Sequence, residues 1–324
     1  MEKFLSCDWG SSMFRLKLVA SDGFIMLAEE KTSQGISNTY QDWKQTDANE
    51  KDRSDFYLNI IREKIRMIEN RTNASLDGVP LIMSGMASSS IGMMEIRYKT
   101  LPVLLDGSDL ETKIIPASDH FRHDICLISG ARTADDAMRG EETKLIGCVN
   151  EIGLSREEAV FIFPGTHSKH LYVKEGKLVD IRTYMTGECF ALLSGQSILA
   201  NAVEKTSWPG TNEYKSGFVE GIKAGASVNL LHGAFLTRTN DLFGKFSKAA
   251  NYYYLSGLLI ASELKEWMHS GSVALILVSD VHLGPLYTFA CRILGIGKSA
   301  HAGPWLDADQ ALVKGQFAIY KQHR

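Results

Sequence analysis

An aspartate, a glycine and two serines, in the order Asp8-Trp9-Gly10-Ser11-Ser12, stand between the apolar run from Phe4 to Cys7 and the alternating run from Phe14 to Val19. That order predicts strand, tight loop, strand. Gly10, Ser11 and Ser12 leave backbone N–H groups unshielded by bulky side chains, which suits a phosphate oxyanion. Asp8, at the strand end, repels phosphate, so its chemical use there is to hold Mg²⁺ or a metal-bound water beside the phosphates. Arg15 adds a cation nearby. The same residues also make a plain hairpin whose Asp-Trp-Gly-Ser is turn chemistry only.

A second stretch repeats the layout. Val160 to Phe163 is apolar, Pro-Gly-Thr-His-Ser-Lys follows at 164 to 169, and Leu171 to Val173 resumes the strand pattern. Each unit then turns at a glycine, Ser21-Asp22-Gly23 or Glu175-Gly176-Lys177, into a third strand-like run. Gly10 and Gly165 lie about 155 residues apart, one ordinary domain length. A duplicated unit is expected, with two glycine-hydroxyl loops facing each other across a cleft. Gly165, Thr166, Ser168 and Lys169 would take phosphates on the second loop.

The elements that must position these groups are those of an α/β protein. At 324 residues the chain accommodates two domains of ordinary size. Apolar content of 44% and a net charge of -3 give no general attraction to nucleic acid or an anionic membrane, so any anion site is local. Five widely spaced cysteines read as buried thiols of a reducing compartment rather than a disulfide frame or zinc site. No apolar run approaches the roughly 20 residues of a membrane span. Met-Glu-Lys followed at once by a strand lacks a signal-peptide layout, and a cytoplasmic protein is expected. Zinc patterns, the Rossmann and Walker glycine loops and Gly-x-Ser-x-Gly are absent.

Residues 32 to 55 are polar and read mostly as surface loop, with Ser54 or Asp55 able to cap a following helix. Tyr57, Ile61, Ile65 and Ile68 then recur at the spacing of one buried helix face. Val79 to Met83 and Ile125 to Ile128 are short strands ending at Ser84-Gly85-Met86 and Ser129-Gly130, and ligands gather at such carboxyl ends of parallel strands. The loop from Ala87 to Tyr98 is therefore a candidate ligand site or an ordinary serine-rich connection. Thr133 to Cys148 reads as a helix opening with Asp135, Asp136, Glu141 and Glu142 near its start, where carboxylates also gain roughly 0.3–1 kcal/mol from the helix dipole. Tyr252 to His269 reads as a long helix with Gly271 past its end, and Asp309 to Tyr320 as the last helix.

Taken together, the motifs resemble those of the 2-dehydro-3-deoxygalactonokinase family, within the superfamily of sugar kinases, heat-shock chaperones and actin. The resemblance runs through nearly the whole chain. It rests on Asp-Trp-Gly-Ser-Ser with Arg15, Ser84-Gly85-Met86 with Ile91-Gly92, Met-Arg-Gly-Glu-Glu-Thr at 138 to 143, Pro-Gly-Thr-His-Ser-Lys at 164 to 169, Met-Thr-Gly-Glu at 185 to 188 and Leu-Ser-Gly-Leu-Leu-Ile at 255 to 260. It implies two duplicated actin-like (ribonuclease H-like) ATPase domains facing a nucleotide cleft. Residues 1–152 would carry the sugar-acid site and 153–307 the nucleotide loops, with the helix at 308–324 returning to the first domain. The implied reaction is transfer of phosphate from Mg·ATP to the terminal hydroxyl of 2-dehydro-3-deoxy-D-galactonate.

The roles follow residue by residue. Asp8 would organise Mg²⁺, and Asp136 or Glu141 would accept the hydroxyl proton. Ser84, Gly85, Met86, Ser89, Ser90 and Tyr98 would line the substrate site. Arg139 would fork onto the substrate carboxylate. In the strand-loop-helix from Val273 to Leu294, the loop tip reads Ser279-Asp280, and Gly284 would supply the glycine beside adenosine. The loop at 87–98 departs from the family at Ser88, Ser90, Met93 and Arg97, which leaves another 2-keto-3-deoxy acid or an aldonate as alternatives. A non-catalytic nucleotide sensor and a phosphoanhydride hydrolase are readings from other classes. Partners are the sugar acid and ATP, without nucleic acid or membrane, and no heptad seam indicates an oligomeric state.

Overall fold

The computed structural model describes residues 2–46, 49, 53–152, 158–208, 211–269, 273–296 and 305–324. The chain divides into two units. The first comprises Met1–Arg156, Glu175–Asp180 and Asp309–Arg324, and the second Glu157–Lys174 and Ile181–Ala308.

The first unit is built outward from strand β1 (Lys3–Trp9). It pairs antiparallel with β2 (Phe14–Ala20), which pairs antiparallel with β3 (Ile25–Thr32). After helices α1 (Ile36–Lys44) and α2 (Arg53–Thr72) the chain returns as β4 (Leu81–Gly85), parallel to β1 on its other side. Short strands β5 (Lys99–Thr100), β6 (Val103–Leu104) and β7 (Thr112–Ile115) lead to β8 (Ile125–Ile128), giving the sheet order β3-β2-β1-β4-β8-β7. A small hairpin, β9 (Ala131–Arg132) and β10 (Ala137–Met138), precedes α3 (Glu141–Ile152).

Both faces of β1 are covered, so Phe4 to Cys7 are buried without alternation. Leu5, Cys7 and Trp9 face a core that includes Tyr57, Ile61, Ile65 and Ile68 of α2. All four helix residues are buried, as their spacing requires, and each such side chain contributes about 2 kcal/mol. On the opposite face Phe4 stacks on Phe317, with ring centroids 5.0 Å apart.

The second unit repeats the opening. Strand β11 (Ala159–Phe163) pairs antiparallel with β12 (Ser168–Lys174), which is followed by β13 (Lys177–Tyr184). Residues 175–180, at the start of β13, group with the first unit, where Leu178 pairs with Val103. Then come α4 (Thr186–Gln196), α5 (Asn212–Ser227), α6 (Leu230–Leu242), α7 (Lys248–Leu264), β14 (Ala274–Ser279), α8 (Gly284–Leu294) and β15 (Leu306–Asp307). Strand β14 lies parallel to β11, and β15 parallel to β14. The chain closes with α9 (Ala308–His323). Glycines at 217, 221 and 225 line one face of α5, and a Cβ at Gly221 would lie 2.0 Å from the Tyr254 carbonyl of α7. They permit a close helix crossing that larger residues would force apart.

Several elements differ from the sequence reading. The polar stretch 32–55 contains α1, whose Ile36, Thr39 and Trp43 are buried; three inward positions spaced by three and four residues form its whole apolar face. Residues 133–140 are not a helix opening but a β-turn and strand, and α3 begins only at Glu141. Ser54 donates to the Met93 carbonyl instead of capping α2. The long helix expected over 252–269 runs Lys248–Leu264 and tightens into a 3₁₀ segment, Lys265–His269. Gly271 lies outside the described residues. The cysteines are free thiols, three buried and two, Cys189 and Cys291, half-buried. None of the described helices is long and apolar enough to cross a membrane.

Candidate active site

In the first unit, β1 and β4 end side by side, with Asp8 opposite Ser84 and Trp9 opposite Gly85. Gly85 has φ +84°, and a Cβ there would sit 3.1 Å from the Trp9 carbonyl and 3.3 Å from Asp8 Oδ1. Gly140, at φ +108°, has its Cβ direction 3.5 Å from Gly85 Cα. Only residues without side chains let the end of β1, the end of β4 and the start of α3 meet in this way.

The loop after Asp8 spends its carbonyls and spares its amides. Gly10 N–H donates to the Met13 carbonyl at 2.9 Å, while the Gly10 and Ser11 carbonyls accept from Ile36 and Ser37 at the start of α1. Ser11 and Ser12 are exposed, and among the described residues their N–H groups have no acceptor. Gly35 makes this bracing possible, since a Cβ there would lie 2.2 Å from the Ser11 carbonyl oxygen. The result is a loop with outward donors, the electrostatic requirement for an anion.

Asp8 and Arg15 are register partners on one face of the hairpin, with Oδ2 and Nη1 3.7 Å apart. Asp309, in the first turn of α9, bonds both cations of that face: Arg15 Nη1 at 3.4 Å and Lys17 Nζ at 2.8 Å. Burial works against ionisation of Asp309, but Lys17 and Arg15 outweigh it and hold its carboxyl below the ordinary range. Arg15, expected as a phosphate cation, is thus already paired with two carboxylates. Such partly exposed pairs are worth about 1 kcal/mol or less, so they exchange partners at small cost.

The acidic candidates separate clearly. Asp136 sits in the β9–β10 turn, its Oδ1 accepting from the Ala137 N–H at 2.7 Å. The two residues of β10 and Arg139 stand between it and Gly140. Glu141 is at the helix start and half-buried. Glu142, one of the four acids named from the sequence but not chosen there as the base, is 1% exposed, and both its carboxylate oxygens accept from the Gly140 N–H, at 2.8 and 2.9 Å. Burial first, then the neighbouring Glu141 charge, pushes its carboxyl up to about 7. The signal was available, as the second glutamate of Arg-Gly-Glu-Glu-Thr falls on the inward face of α3.

Around the sugar loop, Arg139 is held by Ser88 Oγ at 2.7 Å and the Ile96 carbonyl at 2.9 Å, and lies over the Tyr98 ring at 3.9 Å. Its Nε is buried without a partner. Ser84 is a correction: it is fully buried and accepts from Gln316 Nε2 of α9, which also donates to the Cys7 carbonyl. Ser89 is buried too, its hydroxyl donating to the Met86 carbonyl. Met86 is half-buried, and Ser90 and Tyr98 are exposed. Met93 belongs to the core and Arg97 to the surface.

In the second unit the loop between β11 and β12 exposes Thr166 and His167. The Thr166 carbonyl accepts from Glu188 N–H at 3.0 Å, and His167 Nε2 meets Glu188 Oε2 at 2.6 Å. Gly187 plays the part of Gly35, with a Cβ 2.5 Å from the Gly165 carbonyl oxygen. Ser168 and Lys169, expected to reach phosphate, are turned inward. Ser168 Oγ accepts from the Gly165 N–H at 3.3 Å and contacts Tyr287 OH at 3.2 Å, and Lys169 Nζ donates to the His167 carbonyl at 3.3 Å. A Cβ at Gly284 would lie 2.6 Å from the Trp305 ring, so this glycine makes room for the protein's own indole. Asp280, in the loop before it, accepts from the His282 and Leu283 N–H groups, both at 2.9 Å, and so fixes the turn that leads into α8.

A glycine loop with outward amides beside a strand-end carboxylate, and a carboxyl raised toward 7 at a helix start, are the equipment of a phosphotransferase. The chain belongs to the 2-keto-3-deoxy-galactonokinase family, whose model matches residues 8–319. It is 28% identical, over 97% of its length and 95% of the relative's, to a Rhizobium meliloti protein named probable 2-dehydro-3-deoxygalactonokinase. It is 25% identical to the Escherichia coli 2-dehydro-3-deoxygalactonokinase over 93% of each chain. A Sinorhizobium meliloti chain whose crystal structure bears the same enzyme designation superposes with a TM-score of 0.78 at 26% identity, covering 98% of this chain and 96% of that one.

Proposed function

We propose that the protein transfers the γ-phosphoryl group of ATP to the terminal hydroxyl of 2-dehydro-3-deoxy-D-galactonate, giving the 6-phosphate. The observation that carries this reading is the loop after Asp8, with its carbonyls engaged and its Ser11 and Ser12 amides outward, in a chain matched to the family over nearly its whole length. The finer fold assignment is a duplicated actin-like, ribonuclease H-like unit. It is supported by the shared strand order, β3-β2-β1-β4 in one unit and β13-β12-β11-β14 in the other.

Asp8 is the residue that would hold magnesium. Its side chain is 19% exposed, so the carboxylate is reachable, and Mg²⁺ takes one or two carboxylates and completes its octahedron with phosphate oxygens and water. When bound, the metal neutralises charge on the transferring phosphates. In the first unit the Ser11 and Ser12 amides would hold phosphate oxygens, with Arg15 released from Asp309 to join them; in the second unit the loop at 164–169 is taken as a phosphate loop in its own right. Glu142 takes the hydroxyl proton: a carboxyl near pH 7 combines the right protonation state with driving force. Glu141 beside it tunes that value. Arg139, positively charged and with an unpartnered Nε, receives the substrate carboxylate against Tyr98.

A second reading, a keto-deoxy acid of other stereochemistry, is favoured by the exposed Arg97 beside Tyr98. ADP release with Mg·ATP against a panel of 2-keto-3-deoxy acids and simple aldonates, each with a sugar-free control, tests both. Strong stimulation by the galactonate-derived acid supports the proposal. Stimulation by another keto-deoxy acid alone supports the second reading, and sugar-indifferent ADP release refutes both.

A further inference from the structure

Beneath the second glycine loop lies a buried carboxylate that the phosphoryl transfer described above does not use. Glu263, on α7, is 3% exposed and surrounded by donors from three other elements. Its Oε1 accepts from His170 Nε2 of β12 at 3.0 Å. Its Oε2 accepts from Tyr287 OH of α8 at 2.7 Å and from Thr186 Oγ1 at the start of α4. Trp267 Nε1 donates to His170 Nδ1 at 2.8 Å, which leaves the imidazole proton on Nε2, facing Glu263.

These bonds have a fixed direction. Tyr287 gives its single proton to Glu263, so its oxygen accepts the Ser168 hydroxyl proton, and the Ser168 oxygen in turn accepts the Gly165 N–H. Gly165 is thereby tied through two hydroxyls to a carboxylate buried in the unit. Thr186 adds a second tie, because the adjacent Gly187 and Glu188 brace the Gly165 and Thr166 carbonyls. With its hydroxyl and its Gly165 amide turned inward, the loop is left to face solvent with Thr166 and His167.

We propose that Glu263 is the positioning residue of this loop, presetting its outward donors for the terminal phosphates of a nucleotide through Tyr287–Ser168 on one side and Thr186 on the other. The inference rests on the reading that the loop at 164–169 binds phosphate. A residue serving the core alone would change thermal stability and leave nucleotide affinity untouched. A positioning residue changes affinity for nucleotide selectively, because a mispositioned loop still folds but meets phosphate poorly.

The test uses the full chain and MgADP as probe, with dissociation constants by calorimetry, KM values for ATP and for the sugar acid, and melting temperatures. Tyr287→Phe and Thr186→Val are each expected to weaken MgADP by about 5- to 30-fold, the loss of one buried hydrogen bond, with the sugar-acid KM within about twofold. Thr186→Ser, which keeps the hydroxyl, is expected to recover affinity to within about threefold. Should Tyr287→Phe fold poorly, the Thr186 pair decides alone. Unchanged MgADP affinity in folded Tyr287→Phe and Thr186→Val overturns the inference. Thr166→Glu separates the two levels, since a carboxylate on the loop repels phosphate. If it weakens MgADP while the other variants do not, the positioning role fails alone. If it too leaves affinity intact, the loop is no phosphate site and the underlying reading fails.

Discussion

The loops at 10–13 and 164–167 join antiparallel strands of matching layout, and each is braced by a glycine at the head of the next helix, Gly35 or Gly187. Behind them the chemistry differs. The first is backed by ion pairs, Asp8–Arg15 and Asp309 with Arg15 and Lys17, partly open to solvent. The second is backed by hydroxyls and an imidazole converging on buried Glu263. Exposed ion pairs exchange partners cheaply, whereas a satisfied buried network does not. The first loop is suited to releasing a cation to an arriving phosphate, and the second to holding one shape throughout.

The largest effect that sharpens this contrast is at Asp8. Asp8→Asn is expected to lower kcat by about 10⁴-fold while the melting temperature moves by a few degrees, since one ion pair of small worth is lost but the carboxylate proposed to hold magnesium goes with it. A folded variant with unchanged kcat would remove the metal role. Next comes Glu142→Gln, expected to cost about 10²- to 10³-fold in kcat. The same variant carries a stability signature. Because the folded carboxyl titrates near 7 against an ordinary 4.5, the folded state holds the proton longer. Wild-type stability contributed by this group is therefore full below pH 4.5 and lost as pH rises toward 7, by about 3 kcal/mol, with no further change above. Denaturant titrations between pH 4 and 8 should show this fall in wild type and not in Glu142→Gln.

Smaller effects probe the braces. Gly187→Ala sets a methyl 2.5 Å from the Gly165 carbonyl oxygen and should raise the ATP KM about tenfold with a loss of about 1–3 kcal/mol in stability. Gly35→Ala, at 2.2 Å from the Ser11 oxygen, should do the same to the first loop, and equal effects on ATP KM would argue that both loops serve the nucleotide. The smallest effect expected is at Asp136→Ala, with kcat and KM within about twofold of wild type because this carboxylate is bound to the Ala137 N–H in the hairpin turn. A large loss there would return the base to the hairpin.

The glycine loops and the α2 stripe at 57, 61, 65 and 68 were legible because each signal is local and repeats within a few residues. Helix α1 was not, since its inward face holds only Ile36, Thr39 and Trp43 in an otherwise polar run. The β9–β10 hairpin was hidden because two-residue strands are too short to alternate, so Asp135 and Asp136 read as helix-start acids. Residue type misled at Ser168 and Lys169: both suit phosphate, and which way they point is decided by Tyr287 and by the His167 carbonyl. Gly284 carried no trace of Trp305, its contact 21 positions along the chain. Glu263 did leave a mark, a lone carboxylate closing the apolar run Leu-Leu-Ile-Ala-Ser-Glu-Leu, but its partners come from three separate elements.

The most direct test of the phosphotransferase account is the fate of the γ-phosphate, followed by ³¹P NMR while wild-type protein consumes Mg·ATP in the presence of 2-dehydro-3-deoxy-D-galactonate. The account predicts a single new phosphomonoester, coupled to the protons of the terminal carbon and formed in proportion to ADP. Inorganic phosphate formed in that proportion, with or without the sugar acid, would contradict it.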